Sequence, residues 1–204
     1  MITYATVAML MSLILEVDGT RLIREKIREG TIATDLMKPI VVPFYFFSDG
    51  LGQTGLHAIL VIPSILFALM LVHIDVPPAP VFAMFLLTFA IGYLVNFFLN
   101  FLMNAVAFWT LETFAVQLIV RWVSDLLSGQ LIPLMFFPGI LGRIVFALPF
   151  AAIYSTPLLI YVRVIQPQDY GRYLGAQILW LLVFSLLSYV VWNAASRRVV
   201  VQGG

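Results

Sequence analysis

Residues 81–108 read VFAMFLLTFAIGYLVNFFLNFLMNAVAF, a run that carries no Asp, Glu, Lys or Arg. A helix of that length extends about 42 Å, and roughly 20 apolar residues suffice to cross a hydrocarbon core about 30 Å thick. The run therefore predicts a membrane-spanning helix. The rest of the chain agrees: of 204 residues, 62% are hydrophobic and 10% charged, with a mean hydropathy of +1.05. A soluble domain carries roughly a quarter charged residues, so the surplus apolar surface must face lipid. The fold class expected is an all-α polytopic membrane protein, which excludes the soluble enzyme classes.

Working outward, Leu56–Ile74, Phe114–Phe137 and Gly175–Ala194 are further candidate spans, the second interrupted by Arg121 and Asp125. Residues 1–17 give a shorter one, which lacks the basic start and small-residue cleavage site of a signal peptide. Residues 138–164 are apolar but punctuated by Pro138, Gly139, Gly142, Pro149 and Pro157. Proline removes a backbone donor, and unpaired backbone is not tolerated facing lipid. That stretch is expected to form short re-entrant or interfacial helices on the extracellular side. The whole chain, 1–204, reads as one transmembrane domain with five spans.

Charge sets the sidedness. Of 21 charged residues, nine lie between Asp18 and Lys38, and Arg197 and Arg198 follow the last span. Under the positive-inside rule both regions are cytoplasmic, whereas the loop Asp75–Pro80, without Lys or Arg, is external. The net charge of +1 and the lack of a long basic run argue against nucleic acid as a partner. With no cysteine, disulfides and thiol chemistry are excluded. His57 and His73 are too few and too far apart in sequence for a metal centre, and their expected role is interfacial hydrogen bonding near the two ends of one span.

The charged segment, residues 18–39, reads DGTRLIREKIREGTIATDLMKP. Asp18 or Thr20 can cap a helix on which Leu22, Ile23 and Ile27 form one apolar face. Gly30 suits the left-handed position that ends it. Thr31 can then cap a second short helix that Pro39 stops. Such a pair would present Arg28, Glu29, Thr31, Thr34 and Asp35 to solvent. It is either a solvated loop joining two spans or a docking surface for a cytoplasmic protein; a helix that only binds lipid would be more uniformly basic.

Inside the membrane, Gly92, Asn96, Asn100 and Asn104 recur every fourth residue and form one polar stripe. Amides facing lipid are costly, so the stripe faces protein or water. It either joins helices by hydrogen bonds or lines a substrate path. Arg121 and Asp125 share a helical face and can pair, structurally or against a partner subunit. Glu112 sits near a cytoplasmic turn, within reach of basic residues of the charged segment or of a partner. Leu127-Ser128-Gly129-Gln130 looks like the nucleotide-contacting signature of ABC ATPases, but lacks one glycine and lies in an apolar span. The chain has no G-x-x-x-x-G-K-[ST] phosphate loop. Ser128, Gly129 and Pro133 instead suit a backbone adjustment where the span ends.

The string IREGTIATDLMKPI (Ile27–Ile40) resembles the coupling-helix region of ABC-transporter permeases of the type-2 exporter class. The likeness continues through NFFLNFLMNAVAFWTLETF (Asn96–Phe114), LLSGQLIPLMFFPGIL (Leu126–Leu141), LPFAAIYSTP (Leu148–Pro157), QILW (Gln177–Trp180) and RRVVVQGG (Arg197–Gly204). Together, in this order and spacing, they resemble a bacterial branch of largely unassigned substrate, some members of which are named viologen exporters.

The resemblance implies a six-span permease of the bacterial plasma (inner) membrane, with a cytoplasmic C-terminus, no ATPase of its own and no cofactor. Two copies of an ABC ATP-binding subunit and a second permease subunit, identical or not, are the implied partners. The coupling element is then centred on Ile27, Arg28, Glu29, Gly30, Thr31, Ile32, Asp35 and Leu36. Met1 falls near the start of the family's second span, so five spans are expected here instead of six. The alternatives are an ion-gradient-driven secondary transporter, which should show inverted repeats and midplane ionisable groups, and a non-transporting structural membrane subunit. An intramembrane enzyme would need a clustered constellation that the two histidines do not supply.

Overall fold

The computed structural model describes residues 2–15, 18–39, 41–71, 74–110 and 114–197. Among these, ten α-helices follow one another without a strand: α1 (Ile2–Leu15), α2 (Arg21–Arg28), α3 (Ile32–Leu36), α4 (Val42–Leu71), α5 (Ala79–Ala105), α6 (Phe114–Leu127), α7 (Gly139–Ala147), α8 (Pro149–Ile153), α9 (Ser155–Tyr161) and α10 (Tyr170–Ser196). The protein is all-α, and three of its described helices are long and apolar enough to cross a membrane: Val42–Ala68, Ala79–Phe108 and Pro167–Ser196.

Helix α5 is the hub. Pro80 lies in its first turn, where a missing N–H costs nothing, and a 3-10 turn over Val106–Phe108 closes it. One face packs on α10 and another on α8 and α9. Gly92 permits the close approach: a Cβ there would lie 2.8 Å from the Ile153 carbonyl oxygen and 3.0 Å from that of Ala152. Across the same contact the fully buried Gln177 of α10 donates from Nε2 to the Thr88 carbonyl (3.0 Å) and the Ala152 carbonyl (2.8 Å). Tyr4, Met11, Phe85, Val95, Ile153, Leu158 and Ile160 fill the core between α1, α5, α8 and α9. The outer faces of α4 and α10 stay apolar and open, as at Leu60, Phe67, Met70, Leu182 and Leu186.

A second, smaller core holds the charged segment. Ile23 of α2 and Ile32 of α3 pack with Val42, Phe46, Phe101, Ala105 and Trp192, with Leu22, Ile27 and Leu36 at its edge. The apolar face expected on α2 is thus present. Gly19 and Gly50 let the segment's start touch α4, since a Cβ on Gly19 would lie 2.7 Å from Gly50 Cα.

Several expected boundaries differ. The helix expected over 56–74 starts at Val42, because Ser48 and Gln53 bond back within their own helix (to the Phe44 carbonyl at 3.0 Å and to Asp49 at 2.7 Å) and so need no loop. Pro63 does not break it. His57 consequently sits mid-helix, not at an end, with Nδ1 3.1 Å from the Gln53 carbonyl oxygen. The single helix expected over 114–137 is not formed. It ends at Leu127, where Gly129 adopts φ +86° and Pro133 precedes a 3-10 turn. The last helix exceeds 175–194 at both ends. Residues 138–164 do form three short helices, and α9 is buried along its entire length. His73, Glu112, Arg198 and the rest of the C-terminal string, like Met1, Glu16 and Val17, lie outside the described residues.

Candidate functional site

The charged segment has an open tip and a bonded root. At the tip, Gly30 takes φ +74°, the left-handed conformation expected of it, with open space where a Cβ would be. Arg28, Glu29, Thr31, Thr34 and Met37 are exposed around it. Thr31 makes no capping bond to α3; its hydroxyl donates to the Lys26 carbonyl at 3.4 Å.

Asp35 departs from expectation. It is buried at 2% exposure, not presented to solvent, because α3 folds back on α2 and sets its carboxylate between two lysines. Lys26 Nζ donates to Oδ2, and Lys38 Nζ to Oδ1 at 2.6 Å. These bonds, Lys26 first, hold the Asp35 carboxyl below the usual carboxylate range, and the same contact raises the Lys26 ammonium above its ordinary value. Lys26 also stands 5.2 Å from the centre of the Tyr45 ring. The coupling residues inferred from the resemblance therefore split. Arg28, Glu29, Gly30 and Thr31 form the exposed tip, while Ile27, Ile32, Asp35 and Leu36 fasten it.

At the root, Asp18 does not cap α2. Its Oδ1 accepts the Thr20 N–H (3.1 Å) and the Thr20 hydroxyl (2.8 Å), a local turn typical of aspartate. The same carboxylate accepts Asn104 Nδ2 of α5 at 3.1 Å, and that amide also donates to the Thr20 hydroxyl oxygen at 2.7 Å. Gln117 of α6 donates from Nε2 to Asn104 Oδ1 at 2.7 Å, and its Oε1 accepts Arg24 Nη1 of α2. Higher on α5, Asn96 Nδ2 donates to the Leu15 carbonyl at 2.7 Å.

Asp18, Asn96, Asn104 and Gln117 line a cavity of about 140 Å³, together with Asn100, Arg121, Ser124 and Asp125. A water needs about 10–15 Å³ of such space, so the cavity admits several waters or a small polar group. The asparagine stripe and the Arg121/Asp125 face thus meet across one cavity. Asn96 and Asn104 join helices, whereas Asn100 faces the space. Glu112 is outside the described residues.

The sequence reading missed Arg24, Gln117 and Asp18 as members of this network. Gln117 had a legible signal, since Gln117, Arg121 and Asp125 repeat every fourth residue, as the asparagines do. The turn after α6 is tied to α1 and α9. The Tyr4 hydroxyl donates to the Gly129 carbonyl at 2.6 Å, and a Cβ on Gly129 would collide with Ser155 Oγ.

Long apolar helices, a charged appendage and a polar cavity at its root describe a helical membrane protein. Residues 1–203 match the family described as ABC-2 family transporter protein, and the chain belongs to that family. It is a membrane permease subunit of an ABC transporter, a class that works with a separate ABC ATP-binding protein and is not itself the enzyme. No curated protein and no solved structure matches it.

Proposed function

We propose that this permease subunit belongs to an exporter of the bacterial inner membrane. Its 18–39 segment is the coupling element, and the polar cavity between α5 and α6 is part of the substrate path. One observation carries this reading: the segment's tip is exposed around Gly30, while its root is hydrogen-bonded through Asp18 and Thr20 to Asn104 in the cavity wall. A push on the tip is thereby delivered to the cavity.

In this scheme α1, α4, α5, α10 and the region of α6 cross or enter the membrane, and α7–α9 form a re-entrant element on the outer side. Arg197 and the charged segment face the cytoplasm. Two ATP-binding subunits draw together on ATP and drive two permease subunits, alike or different, between inward- and outward-facing forms. Such movement is rigid-body displacement at a bistable interface. The chain supplies a lever and a path wall. Export as the direction is supported by the likeness of Ile27–Ile40 to type-2 exporters.

The test is co-expression with the ATP-binding subunit and purification in detergent. The double reversal Arg28→Glu with Glu29→Lys should lower co-purification several-fold while leaving the permease folded. Unchanged assembly and unchanged ATP hydrolysis would overturn the coupling role.

A further inference from the structure

Gln117 stands between two opposite charges of one segment. Arginine carries only donors, so the Gln117 atom facing Arg24 is Oε1, and Nε2 is left for Asn104. Asn104 presents Nδ2 to the Asp18 side-chain oxygens and Oδ1 to Gln117. The order runs guanidinium, amide, amide, carboxylate, every bond pointing the same way. Hydrogen bonds in such a series polarise one another. Both charged ends, Arg24 and Asp18, lie on the charged segment; the two amides lie on α6 and α5. The segment grips the helix pair as a clamp closed on both sides.

Helix α6 is suited to being held this way. Its apolar residues Val116, Ile119, Trp122 and Leu126 point away from the rest of the chain and are exposed within it. Its polar face meets α5 across a cavity and not a packed seam. Its far end turns at Gly129, where φ is +86°. Gln117 lies ten residues before Leu127, a lever arm of about 15 Å along the helix.

We infer that Gln117 is the positioning residue through which the charged segment holds α6 against α5, so that the opening of the polar cavity follows the segment. The inference rests on the permease reading and names the regulation of that same cavity. A segment displaced by its partner draws on Gln117 through Arg24 and on Asn104 through Asp18. The near end of α6 then swings about the Gly129 turn. Leucine at 117 would leave Arg24 and the Asn104 carbonyl oxygen without this partner. Glutamate would keep Arg24 but set a carboxylate against Asn104 Oδ1.

The chain has no cysteine, so a single reporter thiol is unambiguous. Met103, on α5 in the cavity lining, is the position for it. Met103→Cys would be labelled with a maleimide in the complex with the co-purifying ATP-binding subunit, without nucleotide and after trapping with ATP and vanadate. Modification of this chain would be read by mass spectrometry. The expected result is a several-fold difference in labelling rate between the two states, lost in Gln117→Leu and in Gln117→Glu. Should Gln117→Leu fail to fold, Arg24→Gln interrupts the series from the other end and should lose the difference too. A difference that persists in these variants overturns the role of Gln117 and leaves the permease reading standing. A Met103→Cys reporter blind to nucleotide in an intact complex does the same. Failure of any ATP-binding subunit to co-purify overturns the permease reading itself.

Discussion

The middle of α5 and its C-terminal end are joined to their neighbours by different physics. At Thr88 and Gly92 the contact is between backbones: a glycine opens the gap, and the Gln177 amide spans it to two carbonyls. At Asn104 the contact is between side chains that reach toward charges on Asp18 and Arg24 and border an open cavity. The first arrangement is close-packed, with no room even for a Cβ at Gly92, and packed interiors are as dense as crystals. The second can lengthen, rotate or exchange partners. On the proposed mechanism the subunit pivots and needs both a fixed hub and an adjustable joint; α5 carries the first at its middle and the second at its C-terminal end.

The comparison breaks most sharply at Gly92. Gly92→Leu would drive a side chain into the Ile153 and Ala152 carbonyls, costing about 3 kcal/mol or more by overpacking. The expected outcome is loss of folded protein, seen as aggregation in size-exclusion chromatography. Next comes Gln177→Leu, which strips a donor from two buried carbonyls and should lower stability by about 1–3 kcal/mol. A thermal melt in detergent would register it. At the C-terminal end, Asn104→Leu should cost less, about 1–2 kcal/mol, because Asp18 lines the cavity and can take water in place of the amide. Equal losses for Gln177→Leu and Asn104→Leu would erase the distinction between hub and joint.

The smallest expected effect is a pH dependence. The Asp35 carboxyl titrates below its ordinary value, so its stabilisation is complete above about pH 5 and is lost as pH falls through the depressed value. Lys26 is shifted upward, and its share persists below about pH 10 and is lost as pH rises through the raised value. Melting temperature should therefore be insensitive to this pair between those limits and fall in acid. Asp35→Asn should be less stable at neutral pH and show less of that acid-dependent fall.

Much of this was legible in the sequence because membranes impose strong rules. Uncharged runs such as 81–108 had to be helices, and a cluster of nine charges had to leave the lipid. Gly30 announced its turn, and the prolines of 138–164 announced short helices. What stayed hidden depended on which group bonds which. Asp35 reads as a surface carboxylate until two lysines from different turns close on it. The polar stretch 48–55 falls outside the span expected from Leu56 because local back-bonding within its helix leaves no mark in composition. The break after Leu127 was masked by the apolar residues that continue past it. The Arg24–Gln117 contact links residues 93 apart, a separation at which no spacing rule operates.

The reading of the charged segment as the place where an ATP-binding subunit docks can be tested by site-specific photocrosslinking in the co-purified complex. A photoreactive residue at Thr31, beside Gly30 on the exposed tip, should crosslink to the ATP-binding subunit; one at Val76, exposed at the opposite end of the chain's long helices, should not. Crosslinking from Val76 with none from Thr31 would contradict the account.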